Sequence, residues 1–71
     1  MATTINAPIT GTVWKILVKV GDTVTEGQEV MILESMKMEI PVEAPEDGVI
    51  AEIKTAEAAV INEDDVLMVL S

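Results

Sequence analysis

Short apolar runs, broken every few positions by turn-forming residues, organise the whole chain. Ile16, Val18 and Val20 alternate with Lys15, Leu17 and Lys19, the period of two of a half-buried strand. Val30-Met31-Ile32-Leu33 and Val66-Leu67-Met68-Val69-Leu70 are continuous, which predicts strands buried on both faces. Met38, Ile40, Val42 and Ala44 alternate with Glu39, Pro41 and Glu43, so that strand has one wet face. Pro41 has no N–H to give to a ladder, which places its N–H side at an edge or an irregularity. Turn signals separate the runs at Ala7-Pro8 to Gly11, Gly21-Asp22, Glu26-Gly27, Ala44-Pro45 to Gly48, and Asn62 to Asp65. A helical period is missing except over Ala56-Glu57-Ala58-Ala59, which is short enough to be a turn. Many short strands at regular spacing predict an all-β fold, a small sandwich or a closed barrel.

The pattern occurs twice. Laying Ala7–Glu34 on Ala44–Ser71 without a gap matches Ala7/Ala44, Pro8/Pro45, Gly11/Gly48, Ile16/Ile53, Glu26/Glu63 and Met31/Met68 as identities. Apolar character also matches at Val13/Ile50, Val24/Ile61, Val30/Leu67, Ile32/Val69 and Leu33/Leu70. Two copies of one supersecondary unit, neither able to bury its apolar face alone, predict halves related by a pseudo-two-fold axis. We therefore read residues 1–71 as a single domain with repeat halves 7–34 and 44–71, joined by a hairpin connection over 35–43. The second copy departs from the first in its turns. It has Ala58-Ala59 against Gly21-Asp22, and Asp64 against Gly27. Should those glycines hold φ > 0, Ala58 would be strained there while Asp64 tolerates the left-handed region better, so a differently built turn is expected in the second half.

Composition narrows the chemistry. At 71 residues the chain is near the lower limit for folding without staples, and it has no Cys to supply a disulfide or a thiolate metal site. It also lacks His, Tyr and Phe, so the core must be Val, Ile, Leu, Met and Ala. Without His or Cys, the commonest general base and the thiol nucleophile are missing and carboxylates are the only abundant ionisable groups, which argues against an enzyme. A net charge of −9 with only four cationic side chains speaks against nucleic acid and anionic membrane surfaces. No apolar stretch reaches transmembrane length and Met1–Asn6 lacks the features of a signal peptide, so direct membrane insertion is not expected and the cytoplasm is the default compartment. The acidity fits either solubility of a small monomeric domain or docking to basic partners. Glu63-Asp64-Asp65 lacks calcium-loop spacing and reads as a solvated turn, so no metal site is assigned. Trp14 could be a docking hot spot, but packing is its ordinary use.

One site stands out. Lys15, Lys19 and Lys54 lie in strand-like runs, whereas Lys37 lies between the two halves, in the pentad Glu34-Ser35-Met36-Lys37-Met38. The flanking apolar runs are close enough to predict a tight hairpin there, with Lys37 projecting. A nucleophilic amine on a projecting turn suits covalent attachment of a cofactor, because the ladders fix the backbone while the side chain stays within reach of a modifying enzyme. Such an acylation needs an activated acyl donor and removal of the amine's proton. Met36 and Met38 would offer polarisable, adaptable contacts to that enzyme and to the attached group. No other residue is assigned a catalytic role.

Over residues 5–70 the chain resembles the biotin/lipoyl attachment domains, through Gly21-Asp22-Thr23-Val24, Glu26-Gly27-Gln28 and Glu34-Ser35-Met36-Lys37-Met38. The resemblance implies a flattened barrel, or barrel-sandwich hybrid, of two four-stranded antiparallel sheets with the modified lysine on a tight hairpin. The gapless match of the halves leaves no room for the thumb insertion of some carriers. The resemblance also implies biotin on Lys37, flanked by Glu34, Ser35, Met36 and Met38, in a non-catalytic swinging-arm carrier. Such a carrier would be loaded by a biotin protein ligase and would move CO2 as carboxybiotin from a biotin carboxylase to a carboxyltransferase or decarboxylase. Ser35 replaces the family's common alanine, a small change. Two alternatives stay open: a lipoyl carrier for acyl or aminomethyl transfer, whose family members typically show Asp-Lys-Ala around the lysine, and an unmodified β-module for protein–protein interaction.

Overall fold

The repeat of the sequence becomes a repeat of strands, and the two copies interlock. The computed structural model describes residues 3–71, in eight strands: β1 (Thr3–Asn6), β2 (Gly11–Ile16), β3 (Thr23–Val24), β4 (Glu29–Ser35), β5 (Met38–Glu43), β6 (Gly48–Ile53), β7 (Val60–Ile61) and β8 (Val66–Leu70). One sheet has the order β1-β8-β6-β3 and the other β5-β4-β2-β7, with every pairing antiparallel. Exchanging β1 for β5, β2 for β6, β3 for β7 and β4 for β8 turns one sheet into the other. Each half thus gives strands to both sheets. The pairing Leu33↔Ile40 beneath the hairpin has its counterpart in Thr3↔Leu70, so the hairpin tip and the ends of β1 and β8 occupy equivalent places.

Hydrogen bonds across the halves repeat this relation. Gly21 N–H donates to Ile50 O (2.8 Å) and Ile50 N–H to Asp22 O (2.9 Å); Ala58 N–H donates to Val13 O (2.8 Å) and Val13 N–H to Ala59 O (2.9 Å). Gly27 and Asp64 donate in the same way to Ala44 O (2.9 Å) and Ala7 O (2.8 Å).

Val13, Val24, Val30, Met31 and Leu33 are buried together with their counterparts Ile50, Ile61, Leu67, Met68 and Leu70. Ile5, Ala7, Val42 and Ala44 complete the core. The alternation expected over Met38–Ala44 holds from Glu39 onward, and β5 is a sheet edge, where Pro41 costs no ladder bond.

Three expectations need correction. The continuous runs are not strands buried on both faces, since Ile32 and Val69 are half-buried and Val66 is exposed. Register shifts after Glu29 and before Met68 instead insert Val30 and Leu67 as bulge residues, so each bulge turns two consecutive side chains inward. The alternating strand predicted through Val20 ends at Ile16. A second pair of bulges, at Trp14 and its counterpart Ala51, breaks the period, and Val20 is 60% exposed at the next turn. The bulge also leaves Trp14 on the surface, 42% exposed, so it adds nothing to the core.

The third correction concerns the second-half turn, which is not built differently. Gly21 and Gly27 have φ of 96° and 84°, and Ala58 and Asp64 have 73° each. Each of these residues stands third in a four-residue turn closed by a backbone hydrogen bond: Asp22 to Lys19, Gln28 to Thr25, Ala59 to Ala56, and Asp65 to Asn62. Ala56–Ala59 is therefore a turn, and the Glu63-Asp64-Asp65 cluster is part of another, in which the Asp65 carboxylate accepts the Asn62 N–H (2.8 Å).

Candidate functional site

The ladder between β4 and β5 runs without a break from Met31↔Val42 to Ser35↔Met38, which leaves only Met36 and Lys37 to make the turn. A two-residue hairpin loop that follows the twist of its strands needs φ > 0 at both positions. Met36 and Lys37 comply, with φ of 52° and 65°. Asn-Gly would fill these positions with little strain, whereas an ordinary side chain held there costs of order 1–3 kcal/mol. Such a conformation persists only where the surrounding structure over-determines it, and Leu33 and Met31, both fully buried in the same strand, anchor the ladder in the core.

Glu34, Ser35, Met36, Lys37 and Met38, expected together from the sequence, are all on this one hairpin. Lys37 is exposed, Met36 is 90% exposed and Met38 63% exposed. Two thioethers of that exposure are not packing the core. Among the described residues the single ion pair is Lys54–Glu52 (3.1 Å), while Lys15 lies over the Trp14 ring at 5.0 Å from its centroid. Lys37 is thus an accessible amine on a fixed support. Behind it, Glu34 and Glu39 face each other directly across the ladder, a like-charge pairing that weakens a hairpin. Converting the Lys37 ammonium to an amide would leave these carboxylates as the hairpin's charge.

The structure adds residues that were not singled out by their chemistry. Thr12, Val13, Trp14, Glu34, Glu57 and Ala58 line a mostly apolar groove of about 300 Å³ beside the base of the hairpin. Glu57 reaches it from the second half, its carboxylate accepting the Ile16 N–H at 3.1 Å. Sequence reading misses this groove because the β2 bulge, which turns Trp14 outward, has no residue signature. Gly11 lies against the hairpin base, where β2 approaches the Glu34 carbonyl. A glycine inside a strand pattern, repeated at Gly48, is the signal that could have found it.

Comparison with known proteins agrees with this geometry. A family model described as "biotin-requiring enzyme" matches residues 2–70. The chain is 50% identical to the biotin/lipoyl attachment protein of Bacillus subtilis, over 96% of its own length and 93% of the relative's. It is 43% identical to the biotin carboxyl carrier protein of Streptococcus mutans, covering 99% of this chain but 54% of that protein. Among solved structures, the urea carboxylase of Kluyveromyces lactis contains a region that superposes on the whole chain with a TM-score of 0.94 and 31% identity, though this is 6% of that much longer chain.

Proposed function

The chain belongs to the biotin-requiring family, and from that premise we propose that Lys37 carries biotin in amide linkage and serves as the arm of a carboxyl carrier. One observation supports the choice of residue above the others: Lys37 alone among the four lysines sits at the tip of a two-residue hairpin, exposed, with strained backbone held by a ladder that Met31 and Leu33 anchor in the core. The protein is a carrier and not a catalyst, in keeping with biotin carboxyl carrier relatives and a chain without His or Cys.

The residues present fit the group. The Lys37 amine is free to form the amide, its leaving group departing from the activated donor and its proton passing to the modifying enzyme. Met36 and Met38 present soft apolar contact on either side. The groove beside the hairpin is lined by Trp14, Glu34 and Glu57, residue types suited to an apolar ring system bearing N–H donors. Bound biotin would supply a ureido nitrogen able to carry CO2 between separate active sites. The rigid hairpin would then fix the root of the arm, while the lysine stem gives it reach.

Domains of this kind stand within carboxylases, as in the urea carboxylase structure. The partners proposed for this chain are a biotin protein ligase, a biotin carboxylase, and a carboxyltransferase or decarboxylase, met in the cytoplasm. Among the described residues no helix is long and apolar enough to cross a membrane. A lipoyl group on the same lysine is the second reading, favoured by the 50% identical relative named for both attachments.

Intact mass and peptide mapping after co-expression with biotin ligase test the proposal. One biotin on Lys37, and none on a Lys37→Arg variant, is the expected result. Label on Lys15, Lys19 or Lys54, or none at all, would overturn it.

A further inference from the structure

Gly11 and Gly48 occupy equivalent places, and the structure treats them unequally. A Cβ on Gly48 would come within 3.2 Å of Ser71 O and 3.5 Å of Leu70 Cβ, close but tolerable with a small shift. A Cβ on Gly11 would come within 2.6 Å of Glu34 O, 3.4 Å of Glu34 C and 3.3 Å of Ser35 Cβ. The nearest obstruction is main chain, so no side-chain rotation relieves it. Glu34 and Ser35 are the last residues of β4 before the turn, so a displacement at this point is passed directly to Met36 and Lys37. On its other side Gly11 pairs with Ile61 of β7, which limits how far β2 can retreat.

We propose that Gly11 is a positioning residue for Lys37: its missing side chain lets β2 seat against the Glu34 carbonyl and so sets where the hairpin tip presents the amine. This rests on modification at Lys37. Acyl transfer is sensitive to such placement, since an error of about 1 Å in the reacting geometry can cost on the order of 10²-fold in rate. The equivalent glycine, at the end of the molecule that carries no hairpin, supplies an internal control. Gly48→Ala perturbs the same element in the other half and leaves Lys37 where it is.

The test compares ligase-catalysed biotinylation of Gly11→Ala, Gly48→Ala and wild type, well below their melting temperatures and corrected for folded fraction. Ser35→Val, which presses on the same gap from the half-buried side of the hairpin, serves as a second variant should Gly11→Ala fold poorly. We expect kcat/KM to fall roughly ten- to hundredfold for Gly11→Ala and Ser35→Val and to change less than twofold for Gly48→Ala. Amide chemical shifts in Gly11→Ala should move over Glu34–Met38, while acylation of Lys37 by a small reagent without the ligase stays at the wild-type rate. A purely structural role would lower stability but leave the corrected kcat/KM unchanged. That result, or shifts confined to Val60–Ile61, would overturn the inference. A wild type that accepts no biotin overturns the modification reading itself, and is told apart because the defect is then common to every variant.

Discussion

The turn Lys19–Asp22 and its counterpart Ala56–Ala59 follow one path with different residues. In the first, Gly21 takes φ of 96° without strain and the Asp22 carboxylate accepts the Lys19 N–H at 3.0 Å. In the second, Ala58 is held at 73° and Ala59 has no side chain to make the matching bond. A left-handed alanine is disfavoured by about 1–2 kcal/mol. It stays there because Ala58 N–H and Ala59 O are both bonded to Val13, as Gly21 and Asp22 are bonded to Ile50. The backbone of each turn is therefore fixed by the opposite half, and the residues within the turn only adjust its stability.

The strongest way to break this relation is to separate the halves. Residues 1–36 or 44–71 alone would lose every partner strand supplied by the other copy, since β1 and β3 pair with β8 and β6, and β2 pairs with β7. Neither fragment should show a cooperative transition in thermal melts followed by circular dichroism. An independent melt in either one would show that a half holds its own turns.

Core substitutions sharpen the comparison at a smaller scale. Met31 and Met68 are repeat counterparts, both fully buried in the strand step that follows a bulge. Met31→Ala and Met68→Ala should each cost about 2–5 kcal/mol, and the two values should be alike if the halves share one core equally. Denaturant titrations of both variants read this directly. A difference above about 2 kcal/mol would mean that one side relaxes into the cavity much better than the other.

Exchanging the turn residues has a smaller effect and tests the strain itself. A Cβ on Gly21 meets nothing within 4 Å, so Gly21→Ala carries only the conformational penalty and should destabilise by about 1 kcal/mol. Ala58→Gly removes that penalty but adds freedom to the unfolded chain, so a net gain of about 0.5 kcal/mol is expected. If Ala58→Gly instead lowers the melting temperature, the φ of Ala58 is not a strained one.

These features also mark what the sequence could and could not reveal. The all-strand class, the repeat, Pro41 at an edge or an irregularity, and the five hairpin residues were legible, because periodicity and turn chemistry are local signals; the number of strands came only with the family resemblance. The four bulges were not, because a bulge changes register without needing a particular residue. Missing them led to two wrong expectations together: burial of Val30–Leu33 and Val66–Leu70 on both faces, and a strand through Val20. The left-handed Ala58 was hidden for another reason. Its conformation is imposed by hydrogen bonds to Val13, a residue far away in sequence, and no local propensity records them.

Met36 and Lys37 at the hairpin tip have no counterpart in the repeat, and substitutions of the exposed methionines there should cost the least stability. Met36 and Met38 are among the most exposed apolar residues of the chain, so trimming them leaves no cavity and should stay well below the ~2–5 kcal/mol of a buried methionine. The double change Met36→Asp and Met38→Ala gives this hairpin the flanks typical of lipoyl carriers. Aspartate also tolerates the left-handed position of Met36 better than methionine does, which offsets part of any loss from adding a carboxylate near Glu34 and Glu39. The variant should melt within a few degrees of wild type, take biotin more slowly and become a better substrate for a lipoyl ligase. Timed mass spectra of both proteins with each ligase measure this. Unchanged biotinylation with no gain in lipoylation would move specificity away from the two methionines, to the path of the hairpin backbone and the surface around it.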